Sequence, residues 1–305
     1  MQTTLQSPVT FTGIGLHSGL PVKMTVNPAG AGHGIVFRRT DVTDNPCLQA
    51  LWSNVVMSPL NTRLVNADGI WVSTIEHLMA ALAGTGVHNA QIDIDGPEVP
   101  IMDGSAADFV RGLVTAGQRR MAAPLYAIKI LKTVEVSHGN ALARLSPATT
   151  LQIDFSIDFD VAAIGHQDLN LNMANGTFVR ELSTSRTFCR QADVDAMRAD
   201  GLALGGTLDN AVVYAGDTVL TPGGLRHKDE AVRHKMLDAL GDLYTAGAPI
   251  LGRYTGVRAG HAMTNKLLCA LFADPTAYRM VRCDRSIAAR LPGRGVGVDD
   301  LVAVA

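Results

Sequence analysis

Apolar and polar residues alternate with a period of two in several parts of the chain. In Leu151–Phe159, Leu, Ile or Phe occupies every second position, and Gln, Asp or Ser fills the positions between them. The shorter stretches Val22–Val26 and Ala90–Ile94 repeat the pattern. Successive side chains of a strand point to opposite faces, so this alternation predicts strands of sheets with one covered face.

Apolar residues also recur at helical spacing, three or four positions apart. These segments lie near residues 75–82, 109–114 and 232–244, and a shorter helix is expected over Asp193–Arg198. Strands precede helices in the first part of the chain and again in the second, and the polar, basic stretch Gln118–Pro124 between them is expected to be a linker. The pattern predicts an α+β fold with two domains, residues 1–121 and 125–305.

Composition narrows the class of protein. With 305 residues, a formal net charge of −2 and no basic run, the chain lacks the charge that would attract nucleic acid. Its apolar runs, such as Leu267–Ala273, are far shorter than the ~20 residues of a membrane span. Met1–Gly13 lacks the pattern of a signal peptide, and the four cysteines lie far apart without a CxxC pair. We expect a cytoplasmic protein with no membrane span and no nucleic-acid partner.

Glu76 and His77 are adjacent at the start of the first predicted helix, beside its apolar stripe. Ser73 stands three residues before Glu76, the spacing of a capping box in which Glu76 folds back onto the helix start. The alternative is a metal hydrolase, in which one of the two residues binds a metal and the other accepts a proton from water. The dipeptide alone does not separate these interpretations.

His234, Asp238 and Asp242 follow one another at intervals of four on a later predicted helix. Residues at this spacing share a helix face, so a His and a carboxylate there can chelate one cation. A solvated face with a His–Asp hydrogen bond fits these residues equally well, and the nearby Lys228, Asp229 and Glu230 are expected at the surface. With His77 as a third ligand, His234 and Asp238 would complete a zinc site, and Fe²⁺ also suits such ligands.

His261 follows Gly260 at the start of another predicted helix, which should end before Asp274. A histidine in this position is accessible to a ligand and can serve as a general acid. It can equally be a structural residue at the beginning of the helix.

Six segments together resemble one family, the bacterial UDP-3-O-acyl-N-acetylglucosamine deacetylases of lipid A synthesis. They occur in the family's order, and they are Gly13–Gly19 (GIGLHSG), Ser73–Gly84 (STIEHLMAALAG), Pro97–Ala106 (PEVPIMDGSA), Ser185–Phe188 (SRTF), Arg233–Asp242 (RHKMLDALGD) and Gly260–Lys266 (GHAMTNK). The resemblance implies two domains, each a two-layer α/β sandwich, packed helix to helix with the active site between them. It also implies an insert near residues 190–213 that forms a passage for an acyl chain.

The resemblance also assigns roles to single residues. It implies one Zn²⁺ held by His77, His234 and Asp238, with Glu76 as general base and His261 as general acid beside Asp242. Thr187 would polarise the acetyl carbonyl, and the expected substrate contacts are Lys235, Arg258, Phe159 and Phe188. His17 matches a family histidine whose role stays open. The turn Ser137–Ala141 lacks a lysine that contacts the nucleotide in some members, so nucleotide binding would depend more on Lys235 and Arg258.

The resemblance thus predicts a zinc-dependent deacetylase that acts, as a monomer, on a UDP-sugar carrying an acyl chain and releases acetate. The alternatives are a non-catalytic UDP-sugar-binding protein of the same fold and another zinc amidase, such as a peptidase. Acetate release measured against peptide cleavage, with and without a chelator, separates the three.

Overall fold

The structure is a computed structural model that describes residues 1–58 and 60–301. The strands are β1 (Thr3–Leu5), β2 (Val9–Ile14), β3 (Pro21–Pro28), β4 (Ile35–Arg39), β5 (Cys47–Gln49), β6 (Val55–Val56), β7 (Arg63–Val65), β8 (Trp71–Val72), β9 (Ala90–Ile94), β10 (Gln118–Arg120), β11 (Tyr126–Ile130), β12 (Val134–His138), β13 (Ala141–Pro147), β14 (Leu151–Asp158), β15 (His166–Asn172), β16 (Phe188–Arg190), β17 (Val212–Ala215), β18 (Thr218–Val219), β19 (Ile250–Val257) and β20 (Tyr278–Arg282). The helices are α1 (Glu76–Thr85), α2 (Ala107–Ala116), α3 (Gln191–Ala199), α4 (Glu230–Tyr244), α5 (His261–Ala273) and α6 (Arg285–Ala288). Single turns of 3₁₀ helix cover Trp52–Asn54 and Val298–Asp300, and a π-helical turn covers Phe178–Leu182.

Two larger sheets carry the fold. One has five strands in the order β2-β3-β9-β4-β5, and the other has seven, with β12-β13-β19-β11-β20 in order and the β14–β15 pair joined to β19. The predicted strands appear as β3, β9 and β14, and their alternate residues are buried as the pattern required. The mixture of sheets and helices confirms the α+β class. The division into two domains stays a prediction.

Two smaller three-stranded sheets interrupt this pattern, β6-β7-β8 in the first part of the chain and β16-β17-β18 in the second. Helix α3 lies between β16 and β17, where a short helix was expected within the 190–213 insert. The predicted linker is partly wrong, because Gln118–Arg120 forms β10 and pairs antiparallel with β1. That pairing joins residues that precede the first sheet to the end of α2.

Helices α1, α2, α4 and α5 pack on one another and on the two larger sheets. Helix α2 packs on β2, α4 and α5 pack on the second sheet, and α1 packs on both α2 and α4. Every residue of α1 is buried, which explains its weak amphipathic pattern. Helices α1 and α4 are in contact, and each buries polar residues: Glu76 and His77 on α1, and His234 and Asp238 on α4.

Gly241 is what lets α1 and α4 approach closely. A Cβ atom built on Gly241 would lie 2.0 Å from the backbone carbonyl oxygen of Glu76, far inside van der Waals contact. The missing side chain therefore brings the start of α1 directly against α4, one turn beyond Asp238.

Gly241→Ala should destabilise the fold, although alanine is the better helix former by about 1 kcal/mol. The added methyl group must push the α1 backbone away, and overpacking of this kind costs about 1–3 kcal/mol. Urea unfolding measures the change. Gly30→Ala is the matched control, since nothing lies within 4 Å of a Cβ at Gly30. Equal stability of Gly241→Ala and the parent protein would show that the helices tolerate a wider separation.

Candidate metal and catalytic site

His77, His234 and Asp238 converge on one point between α1 and α4. Each offers a ligand atom, and these atoms lie within 4.8 Å of one another. Asp238 Oδ1 is 3.2 Å from His234 Nε2 and 3.6 Å from His77 Nε2. All three side chains are buried, so the solvated helix face considered for His234 and Asp238 is wrong.

The protonation of His234 shows that this cluster suits a cation. His234 Nδ1 lies 3.0 Å from the carbonyl oxygen of Ser185, which can only accept a hydrogen bond, so Nδ1 carries the proton. Burial lowers the pKa of His234 to about 4, so the ring is neutral at pH 7 and Nε2 presents a lone pair. Asp238 Oδ1 is buried without a hydrogen-bond partner among the described residues. Acceptor atoms gathered in this way fit a divalent metal ion.

Glu76 lies at the first position of α1, beside the cluster. Its Oε2 accepts a hydrogen bond from the backbone N–H of Thr62 at 3.0 Å, and its Oε1 lies 3.9 Å from His261 Nε2. Burial raises the pKa of Glu76 above its ordinary value. The capping-box interpretation is wrong, because Ile75 is the N-cap residue, no side chain caps α1, and Thr74 has a φ of 58°.

His261 begins α5, and its Nε2 lies 3.9 Å from both Glu76 Oε1 and Asp238 Oδ2. Its Nδ1 lies 2.9 Å from Asp242 Oδ2, so the carboxylate holds the ring and fixes Nδ1 as a donor. Burial opposes the charged ring, but the carboxylates of Asp242 and Glu76 outweigh it and raise the pKa of His261 to about 9. His261 is therefore an imidazolium at neutral pH, with its Nε2–H directed toward the cluster.

Some of the predicted substrate-binding residues lie next to the His77–His234–Asp238 cluster, and others lie farther away. Lys235 Nζ donates to Asp238 Oδ2 at 2.8 Å, so the structure pairs its charge with a candidate ligand. The Phe188 ring lies 6.3 Å from the His234 ring and 5.5 Å from the Phe159 ring, centroid to centroid. Arg258 follows β19 and pairs with Asp158, an exposed contact outside the cluster. No hydrogen bond is formed by the Thr187 hydroxyl among the described residues, while the Thr187 N–H donates to Gly104 O at 2.7 Å.

His17 connects the first part of the chain to the insert. Its backbone N–H donates to Glu98 Oε1 at 2.9 Å, and its carbonyl accepts from the N–H of Leu204 at 3.2 Å. The ring is buried, and burial lowers the pKa of His17.

The turn Ser137–Ala141 lacks the lysine that contacts the nucleotide in some family members. It forms the exposed tip of the β12–β13 hairpin.

Several residues that the sequence did not single out support the site. The hydroxyl of Thr62 donates to Asp242 Oδ1, and its backbone N–H donates to Glu76 Oε2. Thr62 therefore holds both Glu76 and Asp242, the carboxylate that orients His261. Glu230 is buried at 1% exposure and binds Arg186, so its expected place at the surface is wrong. Glu230 stands four residues before His234, and the interval of four already noted on this helix could have revealed it. No local pattern marks Thr62.

A cavity of about 1120 Å³ lies away from this cluster, near Gly86, Tyr244 and the segment Cys283–Val296. Leu240 and Leu243 in its wall are each only 2% exposed. None of the helices within residues 1–58 and 60–301 combines the length and the apolar character needed to cross a bilayer.

Comparison with known proteins identifies the family of the chain. The family described as UDP-3-O-acyl N-acetylglycosamine deacetylase matches residues 2–273. Proteins named UDP-3-O-acyl-N-acetylglucosamine deacetylase are similar to the chain over most of their length. The one from Phenylobacterium zucineum (strain HLK1) is 49% identical over 280 residues, 92% of this chain and 96% of the relative. The one from Myxococcus xanthus (strain DK1622) is 44% identical over 300 residues, 98% of this chain and 94% of the relative.

A third such protein, from Shewanella frigidimarina (strain NCIMB 400), is 45% identical over 286 residues, 93% of this chain and 94% of the relative. These matches confirm the resemblance found in the six sequence segments. The chain belongs to the UDP-3-O-acyl N-acetylglycosamine deacetylase family and is an enzyme, a hydrolase of the deacetylase type.

Proposed function

We propose that the protein removes the N-acetyl group of a UDP-3-O-(3-hydroxyacyl)-N-acetylglucosamine in a zinc-dependent step of lipid A biosynthesis. Hydrolysis would release acetate and leave a free 2-amino group on the sugar. The observation that carries this proposal is the convergence of His77, His234 and Asp238 beside a carboxylate, Glu76, and an imidazolium, His261. We further expect it to act in the cytoplasm as a monomer, with Fe²⁺ as an alternative metal.

The chain's own residues supply the proton transfers. When bound at His77, His234 and Asp238, a divalent cation would act as a Lewis acid that activates water and polarises the acetyl carbonyl. Glu76, held by the Thr62 N–H through Oε2, leaves Oε1 to accept the proton of the attacking water. His261, charged and oriented by Asp242, donates its Nε2 proton to the departing amine. In this proposal the Thr187 hydroxyl stabilises the developing oxyanion.

Substrate contacts follow from the placement of the other predicted residues. Phe188 and Phe159 form an apolar wall that begins at His234. Lys235, at Asp238, would contact the sugar or phosphate, and Arg258 would approach the diphosphate once it releases Asp158. These four assignments rest on the family's motifs together with this placement.

The insert supports the passage for an acyl chain. Helix α3 has no buried residue, and the loop after it exposes Leu204 by 55% and Leu208 by 41%. Leu20, in the loop that contacts this segment through His17, is also exposed, by 56%. An apolar surface left open by a folded insert is typical of a binding site. We propose that a hydrocarbon chain covers it.

We expect a substrate without the acyl chain to have a much lower kcat/KM, because binding energy from the distant chain supports the chemical step. Acetate release from acylated and non-acylated UDP-sugars measures this. The variant Leu204→Asn provides a second test. It should lower kcat/KM for the acylated substrate and leave kcat/KM for the non-acylated substrate unchanged. Equal values for the two substrates would rule out the passage.

The same assay separates the other candidate functions. Binding of the UDP-sugar without acetate release would indicate a non-catalytic binding protein. Chelator-sensitive cleavage of peptides, without release of acetate, would indicate a peptidase.

A further inference from the structure

Glu230 opens α4 as a buried carboxylate in a dense set of hydrogen bonds. Its Oε1 accepts from the backbone N–H of Arg186 at 3.0 Å and from the Arg186 Nε at 2.9 Å. Its Oε2 accepts from Arg186 Nη2 at 3.2 Å and from the backbone N–H of Arg226 at 2.8 Å. The carboxylate thus binds both the side chain and the main chain of Arg186.

Such an ion pair is a weak source of stability. Moving a carboxylate and a guanidinium out of water costs several kcal/mol for each ion, and apolar residues of similar size are often as stable. Here the side chains of Arg186 and Glu230 are only 7% and 1% exposed. Stability alone is therefore a weak explanation of the pair, and its contacts point to a role in positioning.

The segment that Glu230 holds is the one that orients His234. Residues 185–187 belong to no helix or strand. The Thr187 carbonyl accepts from the Val212 N–H at 2.8 Å beside the β16–β17 pairing, but among the described residues no backbone N–H donates to the Ser185 carbonyl. The Ser185 carbonyl nevertheless accepts the proton of His234 Nδ1 at 3.0 Å. Glu230 lies one helical turn before His234 on α4, so both residues face this segment. One helix therefore carries a candidate metal ligand and the carboxylate that fixes the ligand's hydrogen-bond partner.

We propose that Glu230, acting through Arg186, is a positioning residue that sets the tautomer and ring orientation of His234. This inference rests on the proposed function, because it assigns to His234 the role of a metal ligand. A hydrogen bond from the second ring nitrogen fixes which nitrogen of a histidine is available to a metal. Holding Arg186 keeps the Ser185 carbonyl against Nδ1 and leaves the Nε2 lone pair directed at His77 and Asp238.

Arg226 extends this arrangement to the first part of the chain. Its Nη1 donates to Asp103 Oδ2 at 2.8 Å and to the Thr184 carbonyl at 2.9 Å. Residues 184–187 are thus held from both sides, by Glu230 through Arg186 and by Asp103 through Arg226. The segment is fixed relative to both α4 and the loop that precedes α2.

The test compares Glu230→Gln with Asp229→Asn in the full-length protein. Asp229 is the neighbouring carboxylate and pairs with Arg233 at 2.8 Å, but it has no hydrogen bond to residues 184–187. Competition with a zinc chelator measures metal affinity in the initially metal-free protein. We expect Glu230→Gln to bind zinc more weakly, by no more than the about 10- to 100-fold that follows loss of a ligand's own hydrogen-bond partner, and Asp229→Asn to match the parent protein.

Nitrogen-15 spectra of labelled histidine supply a second readout without metal. In the parent protein they should show the proton of His234 on Nδ1, and in Glu230→Gln a mixture of tautomers. We also expect kcat to fall more than KM changes, since His234 would hold the cation that acts on the reacting group.

A double variant, Arg186→Met with Glu230→Gln, removes both charges together and separates positioning from stability. We expect its urea stability to recover relative to Glu230→Gln while its zinc affinity stays low. Recovery of both would overturn the proposal, as would unchanged affinity and tautomer in a folded Glu230→Gln. A parent protein that binds no zinc and releases no acetate would instead refute the proposed function, and the inference with it.

Discussion

Replacing Asp238 with alanine should leave the protein unable to retain zinc and should reduce acetate release to background. The change removes one of three converging donors, and two histidines alone hold zinc poorly. It also leaves the Lys235 ammonium, now bound to Asp238 at 2.8 Å, without that partner. The metal content of purified protein and the rate of acetate release measure the two effects.

The control for Asp238→Ala is Asp229→Ala, on the turn before the same helix. Asp229 pairs with Arg233 and takes no part in the cluster, so metal content should not change. A chelator provides the complementary test on the unaltered protein, because it should abolish activity that added zinc restores. Full activity in metal-free protein would show that the cluster is not a catalytic metal site.

The site could be predicted in part because α4 carries two of its members at a helical interval. His234 and Asp238 are four residues apart in the sequence, and residues at this interval share one face of a helix. His77 lies on another helix, and only the packing of α1 against α4 brings it to the same point. That packing depends on Gly241, whose significance no local pattern shows.

Burial was the property that the sequence predicted least well. Lys228, Asp229 and Glu230 are consecutive charged residues, a composition typical of solvent, yet Glu230 is buried because a distant arginine, Arg186, pairs with it. Burial was easier to predict in the strands, since the alternation of apolar and polar residues in β14 indicates which side chains are buried. Helix α1 is buried on all sides. Its apolar stripe predicted burial of only one face.

Local rules failed where tertiary contacts were stronger. Ser73 and Glu76 have the spacing of a capping box, but Thr74 between them has positive φ and α1 begins only at Glu76. The Glu76 carboxylate instead binds the N–H of Thr62 and faces His261. Backbone strain in a residue other than glycine is concentrated at functional sites, and here it lies beside the candidate base.

Glu76→Gln and His261→Ala should each lower kcat by ~10²–10⁴-fold, the usual effect of removing one proton-transfer group, with metal still bound. Glutamine keeps the hydrogen bond from Thr62 but cannot accept the proton of water. Alanine at position 261 leaves the departing amine without an acid. His33→Ala is the control for the second variant, because His33 is exposed and outside the site.

The pH dependence distinguishes these two residues from each other. Activity should fall at low pH as Glu76 becomes protonated, and at high pH as His261, whose pKa is raised to about 9 by Asp242 and Glu76 against the effect of burial, loses its proton. A cation at the cluster would move both limbs to lower pH, so the informative result is which limb disappears. The residual activity of His261→Ala should lack the basic limb and keep the acidic one. Near-native turnover in fully metallated His261→Ala would exclude His261 as the acid and move that role to another group near the departing amine.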